Sequence, residues 1–487
     1  SNKTAPVLLQ RLLAAEDTRL TTMSMLLGGI SVLVGREDGS LTQFFPVRNK
    51  DNKPILQKIR DFDTHDMAQI QQIVPEQRRK GFLAIDKEGQ LGIFYSTARR
   101  TLLVDAVTDK TLPSAFALSP RAEILLVEND QKKLEVWEVH NEHPEVSLSA
   151  LWLDVWYESY PEPDYIWQSS SASSDFEPKF SLAPLVFGTI KAAFYAMLVA
   201  MPLAIFGAIY TAYFMSPGLR SIVKPGVEIM SALPTVILGF LAGLWLAPVI
   251  ESHLPGVFSM LLIVPLGVML FTWGLYRLPE KYVLWAHDER AAAILIPVVL
   301  LLGWFSLAIS YPIEQALFDG DMRIWLNQVG INFDQRNSII VGVAMGFAVI
   351  PVIFSITEDA VFSVPKHLTT GSLALGATPW QTLTRVVILT ASPGIFSAVM
   401  IGLGRAVGET MIVLMATGNT PVMDFNIFEG MRTLSANIAV EMPESEVGST
   451  HYRILFLAAF VLFVFTFLFN TIAEIVRHRL RERYGNL

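Results

Sequence analysis

Nine residues inside an apolar stretch carry the strongest chemical signal in the chain: Gly402-Leu403-Gly404-Arg405-Ala406-Val407-Gly408-Glu409-Thr410. An Arg or Glu in hydrocarbon is costly, so such residues mark a pathway or a specific pair. Arg405 and Glu409 are four apart, so on a continuous helix they share a face and can bond directly. Arginine offers a fork of donors matched to oxyanions. Glu409 would hold Arg405 when no substrate is present, and a passing oxyanion would compete for it. The alternative is a structural ion pair that fixes helix register. Gly402, Gly404, Ala406 and Gly408 permit close approach of a neighbouring helix, which predicts a charge pair at a tight subunit seam.

A second signal lies upstream, from Ser363 to Leu383. Pro365 can begin a helix without wasting a donor. Leu368 to Leu375 suits a short helix, and Gly376 can end it in a backbone conformation that costs other residues more. Thr378 or Pro379 then starts a second short helix, with Trp380 and Leu383 as its apolar face. This predicts a helix–glycine–helix elbow on the inner membrane surface, a rigid knob shaped for a partner's groove. An idle amphipathic linker is the alternative.

Other chemistries find little support. There is no cysteine, which excludes disulfides, thiolate chemistry and Cys-based metal sites. His253, His287, His367 and His451 read as loop residues without His-Glu-x-x-His spacing. His65, His140 and His143 lack a set of partner ligands, and the last two read as a solvated loop. The net charge is −8, and no basic patch stands beyond the C-terminal tail, so nucleic-acid binding is not expected. Nothing resembles a catalytic constellation, and the chain is not expected to be an enzyme.

The elements that must position these residues are membrane helices. Apolar residues make up 52% of the 487 and charged residues 17%, against about 45–50% and 25% in soluble domains. The excess sits in 181–487. Spanning hydrocarbon takes roughly 20 apolar residues. Seven stretches qualify or nearly qualify, at about 184–214, 233–250, 256–276, 291–311, 338–357, 393–417 and 453–475, the second being short. Basic loop residues set orientation. Arg220 and Lys224, then Arg277, Lys281 and Arg290, then Lys366 and Arg385, and the tail Arg477, Arg479, Arg481 and Arg483 all fall on one side, which should be cytoplasmic. The intervening loops are short or acidic. The C-terminus is then inside, and the residues before the first span are outside. No signal peptide opens Ser1 to Asp17, so a missing N-terminal membrane helix is the expected explanation.

Residues 1–168 read as a β-rich outer domain, joined by a Ser-rich linker at 169–180. Ile30 to Val34 and Leu41 to Val47 flank the turn Glu37-Asp38-Gly39-Ser40. Gly81 to Ile85 and Leu91 to Tyr95 flank Lys87-Glu88-Gly89-Gln90. Ala122 to Val127 and Leu134 to Val139 flank Glu128-Asn129-Asp130-Gln131. Strand, polar turn and strand is a hairpin signal, and a recurrence of about 41–50 residues fits propeller blades. The expected fold is therefore a multi-pass α-helical membrane protein with an N-terminal, partial β-propeller-like domain, open to an upstream truncation. An open β-sandwich is the alternative.

At Leu375-Gly376-Ala377-Thr378-Pro379-Trp380-Gln381-Thr382 and Gly402 to Thr410 the chain resembles the permease subunit of the bacterial phosphate-specific ABC importer, in its PstC-like branch. Val364-Pro365, Gly394-Ile395, Ala232-Leu233-Pro234-Thr235-Val236 and Gly239 also match, and the likeness covers roughly 181–250 and 336–480. The resemblance implies that the elbow within 360–390, with Pro365, Thr370, Gly371, Ser372, Gly376 and Trp380, is the coupling loop that docks on a cytoplasmic ATPase. It also implies that Arg405, Glu409 and Thr410 belong to the transport pathway or pair helices. The chain would bind no cofactor, and ATP-Mg would be used by the partner ATPase. A sister permease, two ATPase copies and an extracytoplasmic phosphate-binding protein would complete the assembly in the bacterial inner membrane. Two departures stand out. Thr370-Gly371-Ser372 replaces the usual Glu-Ala-Ala or Glu-Ser-Ala, so the acidic contact to the ATPase is missing. The helix pair at 256–311 and the outer domain are additions, as in an enlarged variant. A permease for another oxyanion or small solute is the runner-up, ahead of a membrane sensor or scaffold.

Overall fold

Local sequence decides the β-rich part. The computed structural model describes residues 8–13, 18–49, 51–98, 101–106, 113, 115–128, 131–171, 176–277 and 289–484. It divides into two compact units, one formed by Ser1–Pro184 with Ser445–Ile454 and the other by Leu185–Glu444 with Leu455–Leu487.

In the first unit, β1 (Leu20–Met25), β2 (Val32–Arg36), β3 (Leu41–Arg48) and β4 (Pro54–Phe62) form an antiparallel meander. So do β5 (Ile70–Pro75), β6 (Gly81–Asp86), β7 (Gln90–Tyr95) and β8 (Thr101–Ala106). The third sheet pairs β9 (Phe116–Leu118), β10 (Ile124–Glu128) and β11 (Leu134–Glu138). The expected hairpins are β2–β3, β6–β7 and β10–β11. Asn129 and Asp130 of the third turn lie outside the described residues.

Two of these turns have a clear cause. Gly39 and Gly89 sit at φ +79° and +78°, where only glycine is unstrained. The fully buried Asp86 carboxylate accepts from the amides of Ala68, Glu88 and Gln90 at 2.8–2.9 Å. The run Gly81–Asp86 is buried at every position. Phe82, Ala84 and Phe94 face a core with Leu33, Leu41 and Ile70, while Leu83, Ile85, Leu91 and Ile93 face Leu125 and Val127. A sheet covered on both faces needs a continuous apolar run rather than an alternating one. Among the described residues no closed sheet confirms the partial propeller expected from the repeat. Among the described residues the three sheets are separate open meanders, and the β-rich reading is what stands. Helix α1 (Leu148–Trp152) and the short pair β12 (Trp167–Gln168) and β13 (Lys179–Phe180) complete this unit. Of the Ser-rich linker, Ser173, Ser174 and Asp175 lie outside the described residues.

Among the described residues, seven helices are long and apolar enough to cross a membrane: Ala183–Phe214, Thr235–Ser252, Leu254–Leu275, Ile294–Leu317, Ser338–Phe362, Pro379–Gly408 and Thr450–Leu480. The first begins as α2 (Ala183–Ile209) and continues through a π turn at Tyr210–Phe214. Ser216 caps α3 (Pro217–Met230), an amphipathic helix. Next come α4 (Thr235–Leu241), a π turn at Ala242–Leu246 and α5 (Ala247–Ser252). Helices α6 (Leu254–Tyr276) and α7 (Glu289–Ala308) pack on each other. A Cβ on Gly267 would lie 2.6 Å from Leu302 Cδ1, and one on Gly256 would lie 2.7 Å from the Ser306 carbonyl oxygen. Two short helices follow, α8 (Ser310–Leu317) and α9 (Met322–Gln328).

The centre of the second unit is α10 (Ser338–Phe362) against α2. Ala192, Ala196, Ala200, Ala204 and Ala208 of α2 are fully or almost fully buried. Gly342 and Gly346 of α10 meet Tyr195, Ala196 and Val199 at 3.0–3.2 Å from where a Cβ would be. Small residues on both sides let the backbones approach, which drives helix association in lipid where burial of apolar area cannot.

Several expectations change. His367 lies in the short helix Lys366–Ala374 and not in a loop. The sixth span is not 393–417. Pro379 starts it, and the chain leaves the helix after Gly408. His451 lies in the first turn of the last helix and stacks on Phe180 rather than sitting in a loop. His143 is held by Thr450, with Nδ1 2.7 Å from Oγ1, and is not a solvated loop residue. Lys281 and His287 lie outside the described residues.

Candidate translocation site

The elbow forms from local signals. Pro365, in extended backbone at φ −58° and ψ 129°, caps α11 (Lys366–Ala374) rather than occupying its first turn. The helix closes on Leu375, and Gly376 turns the chain at φ +88°. The Gly376 amide donates to the Leu373 carbonyl at 3.0 Å, and that of Ala377 to Ser372 at 3.2 Å. Thr378 then opens α12 (Pro379–Thr382) with a reciprocal capping box to Gln381, which satisfies two otherwise orphaned amides. Ser372 Oγ and Thr382 Oγ1, 2.9 Å apart, tie the two arms together. The second arm is not a separate helix. It runs through a π turn at Leu383–Val387 into α13 (Ile388–Gly408), so the elbow's second arm and the sixth span are one continuous element. Thr370 and Gly371 face open space, and Leu375 and Trp380 are 91% and 66% exposed.

At the other end of α13 the expected ion pair is absent. Glu409 has extended backbone at φ −67° and ψ 127°, so the one-turn spacing that would place it beside Arg405 does not exist. Its carboxylate instead accepts a long 3.4 Å bond from the Ile412 amide at the start of α14 (Met411–Ala416). Its carbonyl accepts from Ser435 Oγ at 3.0 Å, on α15 (Leu434–Glu441). The Thr410 hydroxyl donates to the Gly408 carbonyl at 3.3 Å. Among the described residues the half-buried Arg405 guanidinium has no hydrogen-bond or ion-pair partner. The break is held from outside the motif. Gly239 and Gly243 let α4 and its π turn touch α14: a Cβ on Gly239 would lie 2.8 Å from the Met411 carbonyl oxygen, and one on Gly243 would lie 2.4 Å from that of Met415. An arginine without a counter-charge, one turn before an unwound stretch, leaves a fork of donors whose geometry matches an oxyanion.

The glycines do different things. Gly402 packs on α10, where an added Cβ would lie 2.6 Å from Ile353 Cδ1 and 3.1 Å from Val349 Cγ1. That contact is within the chain. A Cβ on Gly404 would lie 3.6 Å from Asn470 Oδ1 of the last helix, α16 (Thr450–Tyr484), and one on Gly408 would meet nothing within 4 Å.

Residues 200–482 match the family model for the binding-protein-dependent transport system inner membrane component. The chain belongs to this family. It is 27% identical over 296 residues to the probable ABC transporter permease protein YqgH of Bacillus subtilis (strain 168), covering 61% of this chain and 71% of that one. It is 27% identical over 307 residues to the phosphate transport system permease protein PstC of Mesorhizobium japonicum, covering 63% and 76%. A solved structure of the MetNI methionine ABC transporter overlaps 61% of this chain and 94% of its own at 15% identity, with a TM-score of 0.33 that is too low to bear on the fold. The permease is thus a non-catalytic, multi-pass inner-membrane component of a multi-subunit ABC transporter.

Gly402→Ala should force Ile353 of the permease from its rotamer, at a cost of about 1–3 kcal/mol. The expected result is a lower melting temperature of the purified protein, recovered in part by Ile353→Val, which removes Cδ1. An unchanged melting temperature in Gly402→Ala would show that the contact relaxes freely.

A charge cluster went unread in the sequence. Glu358, in the last two turns of α10, is 0% exposed. Arg220 Nε donates to its Oε1 at 2.5 Å, and Lys224 Nζ lies 2.8 Å from its Oε2. The latter contact is off the direction that a hydrogen bond requires. Lys224 also reaches the exposed Asp359 at 2.5 Å. The Arg220 guanidinium lies 3.4 Å from the centroid of the Phe362 ring. Burial alone would lower the Lys224 ammonium, but Asp359 and Glu358 outweigh it and raise it. Removing one partner of a buried pair costs about 3–5 kcal/mol, although an apolar replacement of the whole set is often neutral. The available signal was the i, i+4 pair Arg220/Lys224 with the acidic pair Glu358-Asp359 closing a long apolar run. Read only as loop charge, the two cations concealed their partners.

Proposed function

We propose that this chain is the transmembrane permease subunit of an ATP-driven inorganic phosphate importer. The observation that carries the reading is the uncompensated Arg405 beside the Gly408-Glu409-Thr410 break. A guanidinium with free donors matches a tetrahedral oxyanion, and relatives such as PstC of Mesorhizobium japonicum are named for phosphate transport. Arg405, Glu409 and Thr410 form the passage for the anion, and Gly402, Gly404 and Gly408 let helices close around it.

The elbow of 360–390 docks on the ATPase through Pro365, Thr370, Gly371, Ser372, Gly376 and Trp380. Without the family's acidic residue at Thr370, that contact rests on apolar surface. Residues 1–168 are extracytoplasmic, 169–180 link them to the permease domain of 181–487, and the C-terminus is cytoplasmic, in accord with the basic loop residues. The helix pair at 256–311 is an addition to the transport core, and the whole is an enlarged relative of the PstC-like branch. A sister permease, two ATPase subunits and a phosphate-binding protein complete the complex.

Reconstitution of that complex in proteoliposomes tests the reading. ATP-dependent phosphate uptake that excess sulfate leaves unchanged is the expected result. Equal uptake of sulfate would replace phosphate by a general oxyanion, and uptake of neither would remove the assignment.

A further inference from the structure

The cluster around Glu358 stands between the two ends of the machine. It grips the final turns of α10, which stop at Phe362, and the elbow helix begins at Lys366. Both of its cations lie on α3, which leads through 231–234 into α4. Helix α4 meets α14 with no side chain between them at Gly239, and its following π turn does the same at Gly243. Helix α14 starts two residues beyond Glu409. A continuous physical chain therefore runs from the elbow through Phe362 and Glu358 to α3, α4 and the break.

We infer that Glu358 is a positioning residue for transport, transmitting displacement of the elbow to the Glu409 break through α3 and α4. The inference rests on the reading of the elbow as the ATPase docking loop. The chemistry of the joint suits this role. Arg220 and Lys224 are one turn apart on α3, so the two contacts fix both its distance and its rotation relative to α10. One carboxylate is dry and the other wet, with 0% of the Glu358 and 66% of the Asp359 side chain exposed. Lys224 touches both at once, so it ties the buried carboxylate to the exposed one. Stability alone does not call for such a set, because well-packed apolar side chains hold two helices together as well or better. A coupling route is a physical claim only when a discrete element biases both ends, and the inference assigns that role to this joint.

The test is made on the complete reconstituted complex, with phosphate uptake and ATP hydrolysis measured together. Wild-type complex without ATP-dependent phosphate uptake would sink the function proposed above, and this inference with it. Given wild-type uptake, Glu358→Gln should retain ATP hydrolysis and lower phosphate moved per ATP at least tenfold. The triple variant Arg220→Met, Lys224→Met, Glu358→Met decides the matter if Glu358→Gln fails to assemble. It should melt at or above the wild-type temperature and still lose at least tenfold in phosphate per ATP. Wild-type phosphate per ATP in the triple variant, or hydrolysis and uptake falling in parallel, would overturn the inference and leave a purely structural joint.

Discussion

Arg405→Ala should lower phosphate uptake by about 10²-fold or more, with the complex still assembled and ATP still hydrolysed. Two charge-assisted hydrogen bonds from the guanidinium, at about 1.5–3 kcal/mol each, set that scale. Glu409→Ala should also impair uptake, but for a different reason. Its carboxylate supports the first turn of α14 at Ile412, and loss of a helix cap costs about 1 kcal/mol. Glu409→Gln retains an acceptor and should stay close to wild type in stability. Because the two side chains do not touch, their effects should multiply in the double variant. If they formed one ion pair, either single substitution would already show nearly the full loss. Uptake unchanged in Arg405→Ala at normal protein level would remove this residue from the pathway.

The second large effect is expected at the elbow. Leu375→Ser with Trp380→Ala should release the ATPase subunit during purification and abolish coupled uptake, while the permease itself stays folded. Both side chains are largely exposed, so their removal leaves no cavity. Large apolar side chains displayed on a rigid turn are where interface energy concentrates, often at 2 kcal/mol or more per residue. Two such losses amount to about 10³-fold in affinity. The missing acidic residue at Thr370 makes the dependence on these two side chains greater. Retention of the ATPase in the double variant, measured as its ratio to permease after affinity purification, would place the docking contact elsewhere.

The elbow was legible in the sequence almost residue by residue because it is built from neighbours. Gly376 turns the chain by its own freedom, and Thr378 and Gln381 cap each other across three residues. What was misjudged there was continuity. A π turn at Leu383–Val387 fuses the second arm to the sixth span, and widening by one residue per turn leaves no mark in an apolar pattern. Existence of the seven spans was equally plain, since length and apolarity suffice to state it. The three central hairpins followed from their turns. Strands β1, β4, β5, β8 and β9 did not, because they lie at sheet edges, mostly unburied, and carry little apolar pattern of their own.

The charged motif went the other way. A spacing of four implies a pair only if the backbone between stays helical, and Gly408 gave no local reason to decide. Ser435, 26 residues on, holds the Glu409 carbonyl, and Gly239 and Gly243 bring α4 against the segment that follows. Glu358 finds Arg220 across 138 residues of chain. Hydrophobic period, turn chemistry and capping act within a few residues, so the chain's membrane character, hairpins and elbow are written in its order. The partners of buried charge are chosen by which helices meet, and only the packed fold decides that.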